Sequence, residues 1–135
     1  MTEYAGSALY LEWIHSGGTT VLSGDFRTFT SSPSVDLYEA SAGADPYKSY
    51  LPGIKDATMQ VGLVAQVDGT ALFDALEEGT QGTLRVSPEG TASGKRREVR
   101  PAISQGPQRT QPYNDVVSWT IGFQQSGTPT LNDAW

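Results

Sequence analysis

Residues 87–127 read SPEGTASGKRREVRPAISQGPQRTQPYNDVVSWTIGFQQSG, and the strand near their end decides the fold class. Val117, Trp119, Ile121 and Phe123 fall on one side of an extended chain, while Ser118, Thr120 and Gly122 fall on the other. A period of two with one apolar side describes a sheet strand that covers a core with a single face. A Gly- and Pro-rich approach delivers this well-specified strand.

The same alternation recurs outward from that strand. Leu9, Leu11 and Trp13 alternate with Ala8, Tyr10 and Glu12, and Ser16-Gly17-Gly18 offers a hairpin turn into residues 19–23. Residues 25–30 continue extended after Gly24, which marks a candidate bulge, and residues 34–38 set Val35 and Leu37 against Asp36 and Tyr38. Residues 58–67 form the clearest strand, with Met59, Val61, Leu63, Ala65 and Val67 in one phase. Leu84 with Val86, and Val99 with Ile103, complete the set. A single helix is predicted where Asp68-Gly69-Thr70 provides caps, Leu72, Phe73 and Leu76 form a stripe, and Gly79 ends it. About three turns cannot stand alone, so this helix should cover an open end or side of the sheet. The expectation is one mainly β domain over residues 1–135: an antiparallel β-sandwich or barrel with one short α-helix and a long inter-strand loop.

Two segments depart from the pattern. Residues 40–55, ASAGADPYKSYLPGIK, read as a long loop whose first half is small and mobile and whose second half carries stiff apolar anchors. Tyr47, Tyr50 and Leu51 could fold back over the core edge, or could project as a docking arm, since tyrosines bury area with few torsions to freeze. Residues 128–135, TPTLNDAW, lack periodicity and read as a C-terminal tail, either frayed or with Trp135 buried against a neighbouring molecule.

Composition narrows the function classes. At 135 residues the chain suits one core, and without cysteine it has no disulfide, thiolate metal site or cysteine nucleophile. Glu3 near the start and the interruptions at Glu12 and His15 do not suit an export signal, and no apolar run approaches the roughly 20 residues of a membrane helix; a soluble protein without membrane contact is expected. The net charge of −6 argues against a binder that neutralises phosphates. The charge is also uneven. Residues 1–84 carry three basic side chains against eleven carboxylates, −8, while residues 85–135 carry six against four, +2. Such polarity favours head-to-tail contacts between copies.

Catalytic patterns are not legible. His15 is the single histidine, sits beside a turn, and lacks a Gly-x-Ser-x-Gly elbow. One histidine and no Asp-x-Asp-x-Asp-Gly loop give no metal motif. Gly90, Gly94 and Lys95 miss the spacing of a phosphate-cradling loop. Glu77 and Glu78 fall at a helix end, not in a cleft. No enzyme and no cofactor are expected.

The order of the pieces carries a resemblance. Leu11-x-Trp13 and Gly17-Gly18 come first, then Ser23-Gly24-Asp25-Phe26-Arg27-Thr28-Phe29 and Val35-Asp36-Leu37 with its Gly43- and Asp45-bearing loop. The helix follows, then Pro88-x-Gly90-Thr91-x-x-Gly94-Lys95, Pro101-Ala102-Ile103, Asp115-Val116-Val117 and Phe123-Gln124-x-Ser126-Gly127. In this order the chain resembles the tail tube (major tail) proteins of long-tailed bacteriophages, with siphophages the nearer type. No single motif is specific; the succession spans nearly the whole chain.

The resemblance implies a structural virion protein. Its subunits would close into hexameric rings whose inner strands join in one β-barrel, and the rings would stack around a tape-measure protein into a channel for DNA during infection. The long loop would reach an adjacent ring through Asp45, Tyr47, Lys48, Tyr50 and Leu51. An acidic wall would repel phosphates and let DNA slide, which makes Asp36 and Glu39 candidate lumen residues. Lys95, Arg96, Arg97 and Arg100 would lie at a subunit interface or outer rim. Expected partners are further copies of the chain, the tape-measure protein, and tail tip and terminator proteins. The expected location is the virion tail, after assembly in the host bacterial cytoplasm. A different class, a carbohydrate-binding or adhesive β-sandwich, would use exposed aromatics among Tyr10, Trp13, Tyr38, Tyr47, Tyr50 and Trp119. Trp13 and Trp119 share the phase of their strands' aliphatic residues and are assigned to packing. A sheath, capsid-decoration or other virion part on the same fold is a third reading.

Overall fold

The computed structural model describes residues 3, 5–24, 26–65 and 70–135. After a 3-10 turn at Gly6–Ala8 come β1 (Tyr10–His15), β2 (Gly18–Val21), β3 (Phe26–Glu39), β4 (Tyr50–Val64), α1 (Thr70–Ala75), β5 (Gln81–Ser87), β6 (Arg96–Thr110), β7 (Ser118–Gln125) and β8 (Thr130–Ala134). The strands form one antiparallel sheet in the order β2-β1-β5-β6-β7-β4-β3, with β8 also on β6. The sheet is not closed; β2 and β3 are its two edges. The expected mainly β fold with one short helix is what forms.

Alternation sets which face is buried. Leu11 and Trp13 of β1, Met59, Val61 and Leu63 of β4, Leu84 and Val86 of β5, and Trp119, Ile121 and Phe123 of β7 all join one core. Each fully buried large side chain contributes roughly 1.5–3 kcal/mol. Trp13 and Phe123 lie with ring centroids 4.9 Å apart although β1 and β7 are separated by β5 and β6. Strands three places apart in a flat sheet would be about 14 Å distant, so this sheet curls around its own apolar face.

The strand β6 runs in the opposite phase to the expected one. Arg100, Ala102 and Ser104 are buried, whereas Val99 and Ile103 are only partly covered. The inward polar groups are all engaged: Arg100 donates to Glu98 Oε1 at 2.8 and 3.0 Å and to Gln125 Oε1 at 3.0 Å, and the Ser104 hydroxyl donates to the Leu76 carbonyl at 2.8 Å. Beyond Ser104 the ladder shifts register, and Gly106 takes φ +91°, where a Cβ would come within 3.0 Å of the Glu78 Cβ.

Helix α1 has six residues, shorter than expected, and its cap candidates Asp68 and Gly69, like Val67 of the preceding strand, lie outside the described residues. Its carbonyl end is secured by tertiary contacts. Trp13 Nε1 donates to the Ala75 carbonyl at 2.9 Å and Ser104 Oγ to that of Leu76, satisfying groups that a helix end leaves open. Leu76 is buried and Phe73 meets Trp119 edge-on at 5.6 Å, so the stripe covers the sheet as anticipated. Gly79, at φ +85°, turns the chain away, its N–H bonded to the Ser104 carbonyl.

Candidate functional site

The β3–β4 hairpin is longer than alternation alone indicated. The expected strands at 25–30 and 34–38 are one strand of 14 residues, and β4 begins at Tyr50, eight residues before the expected start at 58. An internal Pro33 is tolerated because β3 is an edge. The loop expected over 40–55 is therefore confined to 40–49. Tyr50 and Leu51 are strand residues, paired with Glu39 and Tyr38. Residues 58–64 of β4 pair with β7, but residues 50–57 pair with β3 alone. The distal half of the hairpin thus projects roughly 20 Å as a two-stranded arm.

The arm is held by its own contacts. Gly53 lies so close to the Tyr38 ring that a Cβ would meet its Cε2 at 2.3 Å, so the ring packs across bare backbone. At the tip, the Asp45 carboxylate accepts from the Ala42 N–H at 2.7 Å and the Ser41 hydroxyl from the Ser49 N–H at 2.6 Å, while the Ala40 N–H donates to the Ser49 carbonyl at 2.8 Å. Asp and Ser side chains closing a loop onto its backbone give it a defined shape. Tyr47 is 86% exposed at this tip, and Val35, Leu37, Tyr38, Tyr50, Leu51 and Ile54 are also exposed along the arm. A two-stranded ribbon has no second layer on which to bury them.

The structure brings the acidic and docking candidates together. Asp36 and Glu39 are exposed on the β3 strand of the arm that ends in Asp45, Tyr47 and Lys48. It separates the basic candidates. Lys95 and Arg96 are exposed, but Arg100 is 9% exposed and committed to Glu98 and Gln125. Arg97 binds Asp133 through Nε at 2.8 Å and through Nη2, and its guanidinium lies 4.8 Å from the centroid of Trp135. Arg96 Nε donates to the Leu131 carbonyl at 2.8 Å. These residues clasp the chain's own C-terminus.

That clasp corrects the expectation of an irregular tail. Residues 130–134 form β8, antiparallel to the start of β6. Trp135 Nε1 donates to the buried Ser87 Oγ at 2.7 Å and its ring meets Tyr10 edge-on at 5.8 Å. Beneath it Glu12, 6% exposed, accepts from Arg85 Nη1 at 2.5 Å and from the Tyr10 hydroxyl at 3.2 Å. Partial burial and the neighbouring Glu12 charge push the Tyr10 phenol above its usual range. The hydrogen bond from Arg97, with one from the Ala134 N–H, holds the Asp133 carboxyl below the usual range. Strand periodicity could not reveal this, because β8 is exposed along most of its length and shows no apolar phase. The signal present in the sequence was Asp133 two residues before a terminal tryptophan in a chain with an Arg-rich turn.

Of the aromatics, Trp13 and Trp119 are core, as their phase required, whereas Tyr38, Tyr47 and Tyr50 are exposed on the arm. His15 ends β1, its Nδ1 accepting from the Gly17 N–H at 3.1 Å within the turn. Among the described residues no group of three or more His, Cys, Asp and Glu side chains could hold a metal ion, and no helix is long and apolar enough to cross a membrane.

No family model and no curated protein matches the chain. Solved structures do. The chain is similar to a chain of the SPP1 tail tube at TM-score 0.76 and 12% identity, over 98% of this chain and 81% of that one. A chain in the tail of an empty gene transfer agent particle, computed with helical refinement and C6 symmetry, matches at TM-score 0.74 and 12% identity, over 97% and 100%. A chain of the PVC sheath–tube complex, an extracellular contractile injection system in its extended state, matches at TM-score 0.69 and 13% identity, over 96% and 92%. With an unclosed antiparallel sheet, a short helix and a projecting hairpin, this chain has, over 96–98% of its length, the fold of the tail-tube proteins of phage-like particles.

Proposed function

We propose that the protein is a structural tail-tube subunit and not an enzyme, that its copies close into hexameric rings, and that the rings stack into the tube of a siphophage-like virion tail. The carrying observation is the open sheet with a long arm, on a fold shared with tail tubes over 97–98% of this chain. An antiparallel sheet with a 14-residue free edge is an aggregation hazard unless another chain covers it, and pairing that edge in a ring converts the hazard into assembly. The arm carries Asp45, Tyr47, Lys48, Tyr50 and Leu51 as the ring-stacking contact. Asp36 and Glu39 contribute negative charge to the tube, where DNA passes without being held, and Lys95 and Arg96 serve a subunit interface or outer rim. A tape-measure protein fills the lumen before DNA does, tip and terminator proteins bound the tube, and assembly takes place in the host bacterial cytoplasm.

Negative-stain electron microscopy and sedimentation of the purified protein across concentration test the reading. Hollow tubes or six-fold rings are expected. A species that stays monomeric when concentrated, alone and with extracts containing tail-initiation proteins, would overturn it.

A further inference from the structure

Where the arm leaves the body, β4 and β8 part. Among the described residues, 50–57 of β4 have no strand partner on the side away from β3, and β8 pairs with β6 alone. Between them opens a groove of about 540 Å³ lined by Pro33, Val35, Pro52, Ala57, Pro129 and Leu131. Three prolines remove backbone donors from its walls, which makes it unsuited to accept an added strand and leaves apolar side-chain surface. Lys55 and Asp56 stand at its rim.

We infer that this groove is the socket for the arm tip of a second copy, with Tyr47 as the inserted side chain. The inference rests on the tube reading and names the surface that receives the arm. Three observations favour this occupant. Tyr47 is the most exposed aromatic of the arm and is flanked by opposite charges, Asp45 and Lys48. The rim offers the complementary pair, Lys55 and Asp56, and neither these nor Asp45 and Lys48 form an ion pair with one another or with other described residues. Asp56 is also fixed in place, accepting from Gln124 Nε2 at 2.7 Å and from the Ala57 N–H at 2.8 Å. Finally, the socket is walled by Pro33 and Val35 of β3, Pro52 and Ala57 of β4, and Pro129 and Leu131, whereas Tyr47 belongs to the 40–49 loop, so one subunit carries both surfaces as separate patches. A tip-in-socket contact between copies is heterologous: it leaves a free tip on one copy and a free socket on the other, so it propagates.

The chain has no cysteine, so paired thiols report this contact directly. In the double variant Tyr47→Cys with Leu131→Cys, a short bifunctional thiol reagent applied to assembled protein is expected to give a covalent ladder extending beyond dimers. Tyr47→Cys with Val21→Cys, on the far sheet edge, is expected to give none. Tubes of the first variant that yield no ladder would overturn the socket while leaving the tube reading intact; failure of the unmodified protein to form tubes or rings at all would overturn the tube reading itself. All three positions are exposed in the subunit, and circular dichroism checks that each variant folds. Independently, Lys48→Glu and Asp56→Lys should each raise the critical concentration for assembly on the order of tenfold, and their combination should restore it. Absence of restoration with both singles impaired would also overturn the pairing.

Discussion

Removing the Trp135 side chain is predicted to destabilise the isolated subunit by about 3 kcal/mol. Trp135→Ala keeps the backbone bonds that tie the terminus to the loop before β6, Trp135 N–H to the Lys95 carbonyl and Gly94 N–H to the Trp135 carbonyl, both 3.2 Å. It removes the 2.7 Å bond to Ser87, worth about 1 kcal/mol net, and leaves a fully buried hydroxyl unpaired at a further 1 kcal/mol or more. The edge contact with Tyr10 adds roughly 0.5–1.5 kcal/mol and the Arg97 guanidinium over the ring roughly 0.5–1 kcal/mol. These terms share partners and do not simply add. Urea unfolding followed by circular dichroism, at a concentration where sedimentation shows monomer, reads the difference as a shift of midpoint at constant slope. Trp135→Phe should recover only the ring contacts and remain about 2 kcal/mol below the parent, since the ring returns but the donor to Ser87 does not. A loss under about 0.5 kcal/mol for Trp135→Ala, combined with impaired assembly, would refute the clasp and restore the alternative in which Trp135 docks on a neighbouring molecule.

Three further outcomes follow from the same geometry. Arg100→Ala should cost about 3 kcal/mol or more in the same urea experiment, because Glu98 and Gln125 lose their partner in a largely buried setting, whereas Lys95→Ala should stay within about 0.5 kcal/mol. Asp133 has a depressed folded pKa, so the stability it contributes is fully present above the ordinary aspartate value and is lost as pH falls through the depressed one; Asp133→Asn should flatten that segment of the stability–pH curve and leave the neutral-to-alkaline shape unchanged. Tyr47→Ala with Tyr50→Ala should leave monomer stability nearly unchanged, since both rings are exposed, and abolish tube growth in electron micrographs; normal tubes from that variant would refute the arm as the stacking element.

Alternation read from the residues alone determined the strands that cover the core with one face. Met59-Val61-Leu63 and Trp119-Ile121-Phe123 are buried as their spacing requires, because burying a single sheet face forces period two into the sequence. The helix stripe and the packing role of Trp13 and Trp119 were legible on the same grounds. Three features were decided only in three dimensions. The arm residues before Ala57 have no buried face, so hydrophobic phase carries no record that residues 50–56 pair with 34–39. The inward phase of β6 is polar, and Arg100 and Ser104 can occupy it only because Glu98, Gln125 and the α1 carbonyl end arrive there from elsewhere in the chain. The C-terminal strand owes its place to Arg97, Ser87 and Tyr10, separated from it by 36 or more residues in sequence. Local spacing encodes which face meets the core; it does not encode which distant polar partner will satisfy a side chain, and that is settled when the curled sheet brings the partners together.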